Sequence, residues 1–195
     1  KRIVLLTMHR RENWGEPMRR ACGAVKQLAL LHPDELFVFP VHLNPAVREV
    51  VLPVLGNVSN VHLLEPLGYQ DFVHLMAKSF LIMTDSGGIQ EEGPALGKPV
   101  LVLREVTERP EAVKFGTAKL VGLNEETIVR TATRLLNDTR AYRRMANATN
   151  PYGDGRAAQR IIGIIKNSFG FSRKLPPEFR PRKRPLNGSL TPAKD

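Results

Sequence analysis

A chain of 195 residues, 42% of them hydrophobic, is long enough to enclose one substantial core and has the composition of a globular domain. It has no apolar run long enough to span a bilayer, and its single cysteine, Cys22, excludes an internal disulfide framework and fits a reducing compartment. The formal net charge of +10 suggests nucleic acid until it is located: Arg173, Lys174, Arg180, Arg182, Lys183, Arg184 and Lys194, against Glu178 and Asp195, place half of it in residues 171–195.

That terminal stretch also holds Pro176, Pro177, Pro181, Pro185 and Pro192. It offers too little apolar surface to order itself, so a disordered, basic, Pro-rich tail is expected there, following a single domain over 1–170. Its two aromatics, Phe171 and Phe179, do not interleave with the basic run Arg180 to Arg184 as base stacking requires, which argues against specific nucleic-acid binding. The chain starts at Lys1, directly inside a strand-like run, and is expected to be part of something longer.

Taken in order, the segments alternate. Ile3 to Thr7 is a continuous apolar run, as in a strand covered on both faces. Met18, Ala21, Cys22, Val25, Leu28 and Ala29 recur at helical spacing, which makes Cys22 a small core residue rather than a nucleophile. Leu36 to Phe39 reads as a strand, and Pro45 opens a helix at its favoured first position. Val61 to Leu64 is the next strand, and Phe72, Leu75 and Met76 mark a helix. Phe80 to Thr84 is a strand that breaks into Asp85-Ser86-Gly87-Gly88 and continues as a helix through Glu92. Strands follow at Pro99 to Leu103 and Lys119 to Val121, with helices from Pro110, over Glu125 to Leu136 and over Gly155 to Asn167. This rhythm predicts an α/β fold: a Rossmann-like parallel sheet with helices on both faces.

In such a sheet ligands bind beyond the carboxyl ends of the strands. The unusual polar residues fall there repeatedly: His9 to Glu12, His42 and Asn44, Asp85 to Gly88, and Arg104 to Arg109. The Ser-Gly-Gly turn carries the most chemistry. The first turn of a helix has amides without intrahelical partners, and with the helix dipole they attract an anion such as phosphate. Ser86 suits an N-cap, Gly87 and Gly88 permit close approach of a diphosphate, and Glu92 is placed for a hydroxyl pair such as a ribose. Arginines favour phosphate through a planar fork of donors, which draws attention to Arg10, Arg11 and Arg109. Arg109 is equally suited to a salt bridge with Glu108 or Glu111, and Asn150 to Gly155 to a simple turn. His62 and His74 read as structural, and His32 as a helix C-terminal residue. No cluster has metal-ligand spacing, and neither the phosphate loop of nucleotide hydrolases nor a G-x-G-x-x-G follows the first strand; a metal and a nicotinamide cofactor are not expected.

HRREN at 9–13, PVHLNP at 40–45, TDSGGIQEE at 84–92, GKPVLVLR at 97–104, TERPEA at 107–112 and NPYGDG at 150–155 together resemble the non-hydrolysing UDP-N-acetylglucosamine 2-epimerases. The likeness runs from Arg2 to about Lys166 and covers the C-terminal half of the two-domain, GT-B-type architecture of that family. It implies that Ser86, Gly87 and Gly88 meet the diphosphate of UDP, that Glu92 binds the ribose, that Arg109 lies near the nucleotide and Phe72 by the uracil. It implies a catalytic His9 in the cleft and a candidate allosteric site for a second UDP-N-acetylglucosamine at Arg10 and His42. Leu67 departs from the pattern, standing where some members carry glutamine. The implied reaction interconverts UDP-N-acetylglucosamine (UDP-GlcNAc) and UDP-N-acetylmannosamine (UDP-ManNAc) by eliminating and re-adding UDP, with no cofactor, in a cytoplasmic homodimer. The carboxylates that move the proton belong to the missing N-terminal domain, so the chain alone is expected to be inactive. A nucleotide-sugar-binding module without catalysis and a glycosyltransferase of the same architecture stay open beside the epimerase.

Overall fold

The computed structural model describes residues 1–181. Strands β1 (Ile3–Thr7), β2 (Leu36–Pro40), β3 (Val61–Leu64), β4 (Leu81–Thr84), β5 (Val100–Val102) and β6 (Ala118–Leu120) form one six-stranded sheet in the order β3-β2-β1-β4-β5-β6. Every pairing is parallel, with Leu5 opposite Val38 on one side and Ile82 on the other. The helices are α1 (Glu16–Leu31), α2 (Pro45–Leu55), α3 (Tyr69–Lys78), α4 (Ile89–Ala95), α5 (Pro110–Lys114), α6 (Glu125–Asn137), α7 (Thr139–Ala146) and α8 (Ala157–Ser168), and a short 3-10 turn spans Arg11–Asn13.

The continuous apolar runs divide between two cores. Val4 and Leu6 of β1, Leu81 and Met83 of β4, and Leu101 of β5 join one core with α1, α2 and α6. Their neighbours Leu5, Ile82, Val100 and Val102 face the other, with Met76 of α3, Ile89 of α4 and Ala112 of α5. Alternate residues of a strand point to opposite faces, so a strand buried on both sides must be apolar at every position.

The strand order reverses between β1 and β4. In a sheet of this order the crevice beyond the carboxyl ends of those two strands is the ligand position. The loops that leave β1 and β4 begin at Met8 and Asp85, so the His9 and Ser86 segments are brought to that point.

Two local expectations are corrected. Ser86 is not the N-cap of α4: the helix starts at Ile89, with Gly88 in the cap position and no side chain capping it. The helix α7 had no counterpart in the apolar pattern, because none of its residues is buried, yet Asp138 caps it by accepting the amides of Arg140 and Ala141. After α8, Pro176 packs over Gly163 and the Pro177 carbonyl accepts from Arg160 Nε at 3.0 Å. The remaining part of the expected tail, 182–195, lies outside the described residues. No helix among the described residues is long and apolar enough to cross a membrane.

Candidate functional site

The turn between β4 and α4 carries backbone donors, of which Gly88 is exposed and Gly87 is covered. Among the described residues, the amides of Gly87 and Gly88 meet no acceptor, whereas the Ser86 amide is taken up by Thr84 Oγ1 at 2.9 Å. Neither Gly87 nor Gly88 has a positive φ, so the glycines are not required by backbone conformation. Nor does crowding require them: a Cβ on Gly87 would lie 3.5 Å from Arg10 Nη2, and one on Gly88 would lie 3.8 Å from Glu92 Oε1 and 4.0 Å from Ser86 Oγ, all ordinary contacts with side-chain ends, so what the glycines provide is bare backbone beside those groups. A guanidinium, a hydroxyl and a carboxylate therefore converge on two bare backbone positions.

Asp85 holds this arrangement together. Its carboxylate is fully buried and accepts the amides of His9 and Arg10 at 3.0 and 2.9 Å and Asn13 Nδ2 at 3.0 Å. Asn13 Nδ2 also reaches the Leu103 carbonyl at 3.2 Å, so the loops after β1, β4 and β5 share one buried junction. The His9 ring lies 3.5 Å from Asp85 Oδ1 through Nδ1 and stacks on His42 at 5.7 Å between centroids. Asn44, grouped with these residues in the sequence, serves instead as the cap of α2, accepting the Ala46 amide at 2.9 Å.

The arginines are paired with carboxylates. Arg104 is buried and bridges Glu12 at 2.6 Å and Glu108 at 2.5 Å. That bond to Arg104 holds the Glu108 carboxyl well below the ordinary carboxylate range, at about 2. Arg10 approaches the same Glu108 at 4.0 Å. Arg109, for which the sequence offered Glu108 or Glu111 as partners, binds the side chain of Glu91 from the first turn of α4 and only the carbonyl of Glu108. Tyr152 makes the Asn150–Gly155 segment more than a turn: its hydroxyl accepts the Ala112 amide at 3.0 Å and reaches the Arg109 carbonyl at 3.4 Å.

Phe72 lies on α3, half-buried against the core that contains Ile89, one step removed from the glycine turn. His62 is exposed on β3, His74 bonds the Gln70 carbonyl of its own helix, and His32 caps α1 with Nε2 3.1 Å from Thr133 Oγ1. Burial lowers the pKa of His32. The signals that the sequence did not yield were Asp85 and Gln90 as buried connectors and the half-buried Thr107 beside them; a short polar residue ending an all-apolar strand was the available clue for Asp85. Among the described residues, no three His, Cys, Asp or Glu side chains are grouped to hold a metal ion.

The glycine turn opens beside a cavity of about 220 Å³ lined by Glu91, Glu92, Asn150 and Tyr152. A larger cleft of about 930 Å³ lies elsewhere, between the start of α1 and the start of α6. Glu12, Glu105, Glu125 and Glu126 line it against a single Arg20, so its field repels an anion. A cleft of about 940 Å³ adjoins the small cavity through Ala95, Asn150, Gly153 and Gly155, and the unpaired amides with two arginines decide for the turn.

The fold defines the class: a Rossmann-like parallel sheet of the kind that forms the C-terminal half of two-domain GT-B proteins. The chain belongs to the UDP-N-acetylglucosamine 2-epimerase family, which it matches over residues 1–166. It is 54% identical over 177 residues to a putative UDP-N-acetylglucosamine 2-epimerase of Thermotoga maritima, covering 91% of this chain and 46% of the relative. Identity to the UDP-N-acetylglucosamine 2-epimerase of Escherichia coli K12 is 53% over 168 residues, 86% of this chain and 45% of that one. The chain thus spans about half the length of the curated relatives it matches. Among solved structures, S. aureus MnaA with UDP superposes with a TM-score of 0.88 at 47% identity, covering 92% of this chain and 49% of the other. The Neisseria meningitidis UDP-GlcNAc 2-epimerase bound to UDP-GlcNAc gives 0.82 at 50%, over 85% and 44%. A glycosyltransferase of kitacinnamycin, at a TM-score of 0.51 and 19% identity, shares the fold alone.

Proposed function

We propose that this chain is the UDP-binding half of a UDP-N-acetylglucosamine 2-epimerase that interconverts UDP-GlcNAc and UDP-ManNAc by eliminating and re-adding UDP. One observation carries the reading: Arg10, Ser86 and Glu92 converge on Gly87 and Gly88 beside unpaired amides at the reversal of strand order. Such a turn suits two linked phosphoryl groups, since the amides supply donors and the arginines supply charge. Ser86, Gly87 and Gly88 bind the diphosphate, and Arg109 closes on it after leaving Glu91. Glu92, whose carboxylate lies over Gly88, accepts the ribose hydroxyls, and Phe72 packs by the uracil.

The elimination needs a group that moves the carbon-2 proton and a site that stabilises the departing diphosphate. The turn and its arginines meet the second need. His9, anchored through its amide on Asp85, faces the sugar side of the same crevice. The proton-transferring carboxylates come from an N-terminal half, and this chain alone is inactive. The apolar side chains of α8 suit contact with that half: Ile161, Ile162, Ile164 and Ile165 are each about half exposed. Arg10 and His42, joined to the site through Gly87 and the His9 ring, serve a second UDP-GlcNAc as activator. The whole protein works as a homodimer in the cytoplasm, in amino-sugar and polysaccharide metabolism.

Calorimetric titration of the full-length protein with UDP, beside a Ser86→Trp variant, tests the reading. The variant fills the turn and weakens binding by about ten-fold or more, because an oxygen of the ligand loses its backbone donors. Equal affinity overturns the diphosphate position. Release of UDP-ManNAc from UDP-GlcNAc, followed by NMR, tests the reaction.

A further inference from the structure

Gln90 lies in the first turn of α4 and is completely buried, so it cannot itself contact a ligand. Both ends of its amide are engaged. Nε2 donates to the Ser86 carbonyl at 3.2 Å, and Oε1 accepts from Thr107 Oγ1 at 2.5 Å. Thr107 Oγ1 in turn accepts the Arg109 amide at 2.9 Å. One side chain therefore ties the glycine turn after β4 to the arginine loop after β5.

The first contact fixes a direction. A peptide group is planar and trans, so the carbonyl of Ser86 and the N–H of Gly87 point opposite ways from the same plane. With the Ser86 carbonyl turned to Gln90, the Gly87 N–H is turned to the opposite side of the peptide plane, away from Gln90 Nε2. The second contact fixes a distance. The Arg109 backbone is held through Thr107, so the root of its guanidinium arm is set relative to that N–H. A buried amide whose donor and acceptor are both satisfied holds such geometry firmly, because releasing either group leaves it without water or partner.

We infer that Gln90 is a positioning residue for the diphosphate site, setting the Gly87 amide and Arg109 as a matched pair of donors. The inference rests on the UDP reading proposed above. It assigns Gln90 a role apart from the stability of α4: a loss at Gln90 is felt by the ligand through Arg109. Arg109 also binds Glu91, the next residue along the helix, so the same turn of α4 governs both the backbone and the side chain of the arginine.

The test is a double-mutant cycle on the full-length protein, with UDP as the probe and calorimetry as the readout. Gln90→Met keeps the length and burial of the side chain and removes both hydrogen bonds. It weakens UDP binding by about ten-fold in the parent, the scale of a buried polar pair lost at a site. In an Arg109→Ala background it weakens binding by much less, because the pair it matched is already gone. Thr107→Val cuts only the arm toward Arg109 and shows the same coupling, which keeps the test intact where Gln90→Met does not fold. Losses that simply add in both cycles, or a Gln90→Met variant binding as the parent does, overturn the inference while leaving the UDP site standing. Absence of UDP binding in the parent itself overturns the site.

Discussion

The carboxylate of Asp85 accepts the backbone amides of both His9 and Arg10, so the end of β4 holds the loop that leaves β1. These residues are more than seventy positions apart in the chain and belong to neighbouring strands at the reversal of strand order. The bond turns two separate polar clusters into one surface. It also explains why a carboxylate can sit with no exposure at the end of an apolar strand: three N–H groups replace its water.

Asp85→Ala leaves those N–H groups buried without an acceptor. The variant is expected to lose about 3 kcal/mol, since hydrogen bonds to a buried charged group are the costly ones to break. That corresponds to a fall in Tm of roughly 6–12 °C for a chain of this size. Thermal unfolding followed by circular dichroism measures it. A Tm unchanged within a degree or two would mean that the His9 loop is held by other contacts.

Much of the fold was legible because burial leaves a strong pattern. Val4, Leu5 and Leu6 are all apolar since the sheet is covered on both faces, and that run can be read directly from the sequence. Pro45 and the helix it opens were equally visible. The helix α7 was not, because Tyr142 and Met145 are only half-buried and no apolar stripe with a helical period forms; the Asp138 cap was its only mark. At the site, the four polar clusters could be placed on one edge by following the strands. Their partners could not: Arg109 choosing Glu91 over its sequence neighbours Glu108 and Glu111 depends on how closely α4 and the loop after β5 approach. Gln90 reads as one more polar residue in a helix until the Thr107 hydroxyl is found against it.

The pairing of Arg109 with Glu91 leads to a second prediction. Both side chains are 38% exposed, so the pair is partly hydrated and its strength modest. In the absence of ligand Glu91 occupies the guanidinium that the proposed diphosphate needs, and its own charge repels that diphosphate. Glu91→Gln removes the competitor while keeping the shape. UDP affinity is expected to rise about three-fold, on the scale of one exposed ion pair, while Arg109→Ala lowers it. Calorimetry on the full-length protein reads both. A weaker Glu91→Gln complex would show that Glu91 orients the arginine instead of withholding it.

A third prediction concerns the seat of α4. A Cβ on Gly93 would fall 2.7 Å from Val100 Cγ2 and 3.0 Å from Ile82 Cδ1, both on strands buried at 0% exposure. The absence of a side chain lets α4 lie directly on β4 and β5, which sets the height of the glycine turn above the sheet. Gly93→Ala forces helix and sheet apart and is expected to cost about 1–3 kcal/mol as overpacking. Gly68, where an added Cβ meets nothing within 4 Å, is the control, and its alanine variant should stay within about 0.5 kcal/mol of the parent. Urea unfolding of the pair separates crowding from the general effect of replacing glycine. Equal midpoints would mean that α4 shifts without resistance.

Cys22 offers a prediction about pH. It is fully buried on α1, and burial pushes its thiol from 9.0 up to about 12. The native chain therefore keeps the proton where the unfolded chain has released it. With fewer protons bound in the unfolded state, stability must fall as pH rises from about 9 toward 12, and below about 9 the thiol contributes no slope. Cys22→Ala is expected to lose some stability at neutral pH through the small cavity it leaves, and to decline less steeply than the parent above pH 9. The same burial makes the thiol inert: a disulfide reagent at pH 8 should react only as fast as the protein unfolds, and faster in denaturant. Labelling at the rate of a free cysteine under native conditions would show that α1 opens locally, and would remove Cys22 from the core to which its helical spacing assigns it.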